Sequence, residues 1–216
     1  MPFPAGWVVA GWIAAVPLLA AAARRAPWSR FGGSEPVHVW YGTIFGIVVL
    51  WNVQATVGDG FRFHLLGVAA MTLLVGPALA LLGGAVATAV QIAVRGGIWA
   101  NAGLAFLTMV AVPVATTWLV LRLSERRLPP NFFVYVFVAA FFGAGLSLAG
   151  AGIAGAAALT WGAGRAAGLV FGEYVPYLIY LAFGEATVTG MALTLAVVYR
   201  PQWVATFDDA RYIDGR

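Results

Sequence analysis

The sequence predicts an all-α, polytopic membrane protein of about seven transmembrane helices, including a short helical hairpin, with the amino terminus outside. Composition, the length of the apolar runs and the placement of the arginines lead there. Of 216 residues, 62% are hydrophobic and 9% charged, which leaves too little polar surface to cover a water-soluble globule of this size. Mean hydropathy is +0.90. Apolar runs long enough to cross about 30 Å of hydrocarbon recur along the whole chain, so residues 1–216 read as one integral membrane domain.

The first segment, 7–23, resembles a signal peptide because Ala21-Ala22-Ala23 resembles a cleavage site. Its arginines, Arg24 and Arg25, follow the apolar run instead of preceding it, so a retained helix is expected. The second segment covers 39–57. Phe63 to Val94 comes next, too long for one ordinary span and too short for two full ones, with His64 its lone ionisable side chain. Gly76-Pro77 and Gly83-Gly84 punctuate it, where a helix breaks or turns. Loop charge decides the number of crossings. Arg24, Arg25 and Arg30 follow the first segment, and Arg122, Arg126 and Arg127 follow the fifth, so both connections belong inside. They share a side only if Phe63 to Val94 doubles back, giving segments at 64–75 and 77–94. At least one leg is then shorter than the membrane and ends within it. The remaining segments are 101–121, 132–158 and 174–199, followed by a cytoplasmic tail, 200–216. Gly143, Gly145, Gly150, Gly152 and Gly155 mark the sixth as closely packed. Trp40, Tyr41, Trp99, Trp161, Tyr174, Tyr199 and Trp203 fall near segment ends, as interfacial anchors do.

Several chemistries are excluded. There is no cysteine, hence no disulfide, thiolate metal site or cysteine nucleophile. All twelve basic residues are arginine; without lysine there is no Walker-type phosphate loop and no Schiff base. Nucleotide energy must come from a partner. A net charge of +4, with arginines between apolar segments, speaks for orientation in lipid and against nucleic acid. The metalloprotease H-E-x-x-H and hydrolase G-x-S-x-G patterns are missing, Ser147 lies deep in the sixth segment with no oxyanion donors in view, and no enzyme activity is expected.

His64 is the leading functional residue. An imidazole at the mouth of an apolar segment either binds a metal or closes a helix start by bonding a backbone carbonyl. Asp59, in the turn Gly58-Asp59-Gly60, could ligate a cation beside it or orient the ring. His38 lies in an inside connection, a bilayer away, and reads as interfacial. Further weak ligands are Asn52, Gln54, Asn101, Met109 and turn backbone groups. Glu185 is the one carboxylate deep within a segment, where a charge costs about 2.5–3.5 kcal/mol. It pairs helices or relays a proton or ion, with Thr189 one turn away. Gln91, Asn101 and Glu185 are assigned to shaping the pocket.

These residues also carry a resemblance. His64-Leu65-Leu66-Gly67, Gly76-Pro77, Gln91, Gly96-Gly97, Asn101 and Met109 follow the order and spacing seen in the cobalt/nickel permease subunits of energy-coupling-factor transporters, the CbiM/NikM type. Phe183-Gly184-Glu185-Ala186 with Thr189-Gly190 is similar to that family's last helix, and Val198-Tyr199-Arg200-Pro201 to Phe207-Asp208-Asp209 looks like a divergent branch. In that family the metal is held by the amino-terminal amine, a histidine at the second position and the histidine that corresponds to His64. Here Pro2 occupies the second position. The resemblance implies a permease subunit of a bacterial or archaeal plasma membrane. It would capture a transition metal ion as cargo, with no resident cofactor, for ATP-driven uptake with a transmembrane coupling subunit and cytoplasmic ATPases. A membrane assembly or scaffold protein with a structural histidine, and a permease for an organic solute, are the competing readings.

Overall fold

The computed structural model describes residues 3–58 and 60–212. Six long helices surround one short one. They are α1 (Ala5–Arg25), α2 (Ser34–Asn52), α4 (Pro77–Arg95), α5 (Trp99–Arg127), α6 (Phe132–Gly162) and α8 (Tyr177–Tyr199). Among the described residues, five are long and apolar enough to cross a membrane; α2, whose first turns carry Glu35 and His38, is the remaining long one. The short helix is α3 (Val68–Val75). A further short helix, α7, covers 167–174. A third short helix, α9 (Asp209–Tyr212), ends the described chain.

The break at Gly76-Pro77 is where the punctuation predicts it. Gly76 adopts φ 86° and ψ 162°, a conformation that only glycine takes without strain, and Pro77 opens α4 because its missing N–H is unpaired in a first turn anyway. The eight residues of α3 rise about 12 Å, less than half the hydrocarbon thickness. Its Val68, Ala69, Met71, Thr72 and Leu73 are all fully buried, so α3 is the core of the bundle and not a lipid-facing leg.

Segment limits differ from the sequence expectation at four places. The second helix ends at Asn52 and not at 57, because Ala55–Val57 pairs antiparallel with Phe61–Phe63 in a β-hairpin, β1 and β2. Gly58 (φ 55°) and Gly60 (φ 87°) supply the left-handed backbone of its turn. The third helix starts at Val68 and not at 64, since Gly67 takes φ 67°. The last long helix starts at Tyr177, after Pro176, with α7 separate from it. The tail is packed instead of trailing: Val204, Phe207 and Tyr212 are buried with Tyr135 and Leu193.

Small residues set helix spacing. A Cβ on Gly103 would lie 2.8 Å from the Gly11 carbonyl carbon, so α1 and α5 touch backbone to backbone there. Gly103→Ala must push these helices apart, and a stability loss of about 1–3 kcal/mol, the usual cost of overpacking, is expected in detergent thermal unfolding. On α6, Gly145 faces the Ala182 carbonyl and Gly152 faces Leu178, the close packing expected of its glycines. Widened π-helical turns interrupt the long helices at Leu107–Ala111, Tyr135–Phe142 and Ala158–Gly162, and a fourth forms Val170–Tyr174.

Candidate functional site

Between β2 and α3 the chain runs as coil through residues 64–67, inside the helix bundle. Coil at that depth is tolerated only if its peptide groups find partners. Two side chains provide them. Glu185, 1% exposed on α8, accepts hydrogen bonds from the Leu66 N–H at 2.8 Å and the Gly67 N–H at 2.7 Å. The indole N–H of Trp51, fully buried at the end of α2, donates to the Leu66 carbonyl at 3.0 Å. Glu185 therefore ties α8 to the start of α3, whose N-cap is Gly67. It holds the coil that carries His64.

The His64 ring lies 5.8 Å from that of Trp51. Its Nδ1 is 3.0 Å from the Leu65 carbonyl oxygen, which can only accept. Nδ1 therefore carries a proton, so in the neutral ring the lone pair available to a ligand is on Nε2. The sequence left open whether this imidazole bonds a carbonyl or binds a metal; the geometry has the first and leaves room for the second.

His64 lines a cavity of about 370 Å³ together with Phe3, Arg62, Asn101, Thr108, Met109 and Tyr174, with leucines completing the wall. Of the side chains singled out in the sequence, Asn101 and Met109 share this cavity with His64. The Phe3 amide donates to Asn101 Oδ1 at 3.5 Å, so the start of α1 reaches the same cavity. Three of the four π turns contribute lining residues, Thr108 and Met109, Ala158 and Leu159, and Tyr174. A π turn re-aims side chains by a fraction of a turn, and such turns cluster at functional sites.

Asn52, Gln54 and Gln91 do not line this cavity. Gln91 donates to the Trp51 carbonyl at 3.0 Å and accepts from Asn52 Nδ2 at 3.1 Å, and Gln54 Nε2 also reaches the Trp51 carbonyl, at 2.9 Å. Arg95 Nη2 closes the group on the Asn52 carbonyl at 2.8 Å. These amides cap the exposed carbonyls at the end of α2 and brace Trp51, which explains their polarity without ligation. Asp59 lies outside the described residues. His38 lines a different cavity, with Glu35 and Trp203, at the opposite end of the bundle. Ser147 donates to Ala144 in its own helix. Among the described residues no group of three histidines or carboxylates gathers around one point.

Residues 2–203 match the family model of the cobalt uptake substrate-specific transmembrane region, CbiM. The chain belongs to that family. As a member of this cobalt uptake family it is a transporter component in a membrane, not an enzyme. Two solved structures share its fold at 16% identity. A truncated transition metal transporter superposes with TM-score 0.78, covering 91% of this chain and 95% of its own. A transition metal transporter gives 0.69 over 88% of each chain. No curated protein sequence matches. Arg62, Thr108 and Tyr174 of this family member were not foreseen in the site. Tyr174 looked like an interfacial anchor, yet its ring stacks on Phe63 at 5.3 Å. Only the adjacency of Thr108 to Met109, and the lone charge of Arg62 in the Phe61–Phe63 strand, could have hinted at them.

Proposed function

We propose that the chain is the metal-capturing permease subunit of an energy-coupling-factor transporter in a bacterial or archaeal plasma membrane, taking a cobalt- or nickel-like ion from outside at His64. The observation that carries this reading is an imidazole anchored through Nδ1 to the Leu65 carbonyl and held over a cavity by a coil whose peptide groups are bonded to Glu185 and Trp51. That is the preorganisation a ligand needs. Asn101 and Met109 stand where they can complete the pocket, and Asp59 is proposed as a second ligand from the sequence alone.

Charge supports the orientation. Arg24, Arg25, Arg30, Arg122, Arg126, Arg127 and Arg200 lie at helix ends remote from the cavity, whereas Arg62, Arg95 and Arg165 lie on its side. The more basic end faces the cytoplasm. With no lysine for a phosphate loop, the driving ATP hydrolysis belongs to cytoplasmic ATPases acting through a transmembrane coupling subunit.

Purified protein with nickel(II) or cobalt(II) chloride at about 100 times Kd should gain about 2.7 kcal/mol of stability. His64→Ala should fold normally and show no such gain, and should end uptake in cells that carry the ATPase and coupling genes. Equal stabilisation of the His64→Ala protein refutes the site, and an organic-solute permease or scaffold then becomes the better account.

A further inference from the structure

At the end of the bundle remote from His64, the helical wall has a gap. α2 and α8 each pack against α3, and between them opens a groove of about 560 Å³ whose floor is Leu74 of α3. Glu35, His38, Val39, Gly42 and Thr43 form its wall on α2, at the i, i+3, i+4, i+7, i+8 spacing that keeps one helix face together. Ala192 and Ala196, one turn apart on α8, form the other wall. Past Val39, Leu74 and Trp203, which belong to both, the groove continues into a space of about 370 Å³ lined by Arg30 and Gln202.

The inner part of the groove is apolar and open. A Cβ on Gly42 would meet no atom within 4 Å, so this glycine makes no room for another helix of the chain, and both Gly42 and Ala192 are exposed. The Thr43 hydroxyl already donates to the Trp40 carbonyl at 2.8 Å and asks for no further partner. Depth follows from helix rise. From the start of α2 at Ser34 to Thr43 is about 14 Å, half of the hydrocarbon thickness of about 30 Å. The groove thus runs the depth of a single leaflet.

The outer part is charged. Arg30 and Glu35 are exposed there, and among the described residues no ion pair engages either of them. The mouth presents one cation and one anion above an apolar slot. An amphiphile that answers all three features has a hydrocarbon chain, a phosphate and an ammonium. A purely anionic headgroup would satisfy Arg30 and be repelled by Glu35.

We propose that the groove binds one phospholipid of the phosphatidylethanolamine class from the cytoplasmic leaflet, with an acyl chain between α2 and α8 against Leu74, its phosphate at Arg30 and its ammonium at Glu35. A basic residue at the cytoplasmic mouth of a cleft between membrane helices is a usual setting for a lipid headgroup, and Glu35 adds a choice among headgroups. The site is separate from the His64 cavity and does not depend on what that cavity carries.

Native mass spectrometry of the purified full chain, stripped of lipid and titrated with phosphatidylethanolamine, phosphatidylglycerol or phosphatidylcholine of one acyl composition, tests the assignment. Phosphatidylethanolamine should bind about three- to fivefold more tightly than phosphatidylcholine, whose methylated ammonium cannot donate to Glu35, and more tightly than phosphatidylglycerol. Glu35→Gln should erase the advantage over phosphatidylcholine. Arg30→Gln should weaken all three by about fivefold, the worth of one arginine near a lipid phosphate. Gly42→Leu should fill the slot and weaken all three alike. Ala196→Leu repeats the block from the facing helix, and the melting temperature of each lipid-free variant reports its fold. Equal affinity of the wild type for the three lipids, a preference for phosphatidylglycerol, or undiminished binding by folded Gly42→Leu and Ala196→Leu proteins overturns the inference, and the groove then belongs to a helix of a partner protein.

Discussion

Glu185→Ala is expected to cost up to about 2–6 kcal/mol of stability, from a buried Leu66 N–H and a half-buried Gly67 N–H left unpaired at about 1–3 kcal/mol each, and to abolish metal binding with His64 intact. The reason is local. Leu66 and Gly67 lie where neither water nor helix geometry can satisfy their amides, and the Glu185 oxygens are their partners at 2.8 and 2.7 Å. Without the carboxylate the coil must rotate its peptides elsewhere, which displaces the ring two and three residues upstream. Glu185→Gln keeps one acceptor but aims an NH₂ group at a backbone N–H, so it should fall between wild type and alanine. Thermal unfolding in detergent measures the stability loss, and the metal-dependent shift in the same experiment measures binding. Wild-type binding by the Glu185→Ala protein at a temperature where it remains folded would show that the coil holds its shape unaided.

Phe207→Ala should lower stability by about 3–5 kcal/mol, the usual range for a buried phenylalanine. The Phe207 ring is 9% exposed, stacks on Tyr212 at 5.1 Å and meets Tyr135 edge-on at 4.9 Å. Tyr135 is fully buried, and its hydroxyl lies 2.7 Å from Thr206 Oγ1. Thr206 in turn donates to the Leu73 carbonyl, and the Ala205 N–H donates to the Leu74 carbonyl, both at 2.8 Å. The segment after α8 therefore caps the last carbonyls of α3, and removing its aromatic anchor loosens that cap. A melting temperature equal to wild type for Phe207→Ala would mean that the segment contributes nothing to the fold.

The helices, the break at Gly76-Pro77 and the truncated leg were legible in the sequence because their causes are local: apolar length, a proline without an N–H, and a glycine that tolerates positive φ. The His64 coil was legible only as a segment start. Its last-segment carboxylate stood out as costly, but its partners are backbone amides, and a peptide N–H has no residue identity by which a sequence could announce it. The same limit left the candidate side chains grouped together. Asn101 and Met109 reach the His64 cavity whereas Asn52, Gln54 and Gln91 gather at the Trp51 carbonyl, a division set by helix rotation. The π turns that aim Thr108 and Tyr174 inward leave no mark in composition. The hairpin at 55–63 was visible as a turn, but its first strand, Ala55–Val57, was absorbed into the second helical segment because threonine and valine suit both, and Phe61–Phe63 was left in the connection.

Both ends of α3 are fastened to one continuous stretch of chain: Glu185 of α8 at the beginning, and Ala205 and Thr206, just beyond α8, at the finish. The short rod and the imidazole ahead of it are thus passengers in a harness slung from the carboxyl-terminal helix. A neighbour that tipped this helix from the lipid side would carry the imidazole with it.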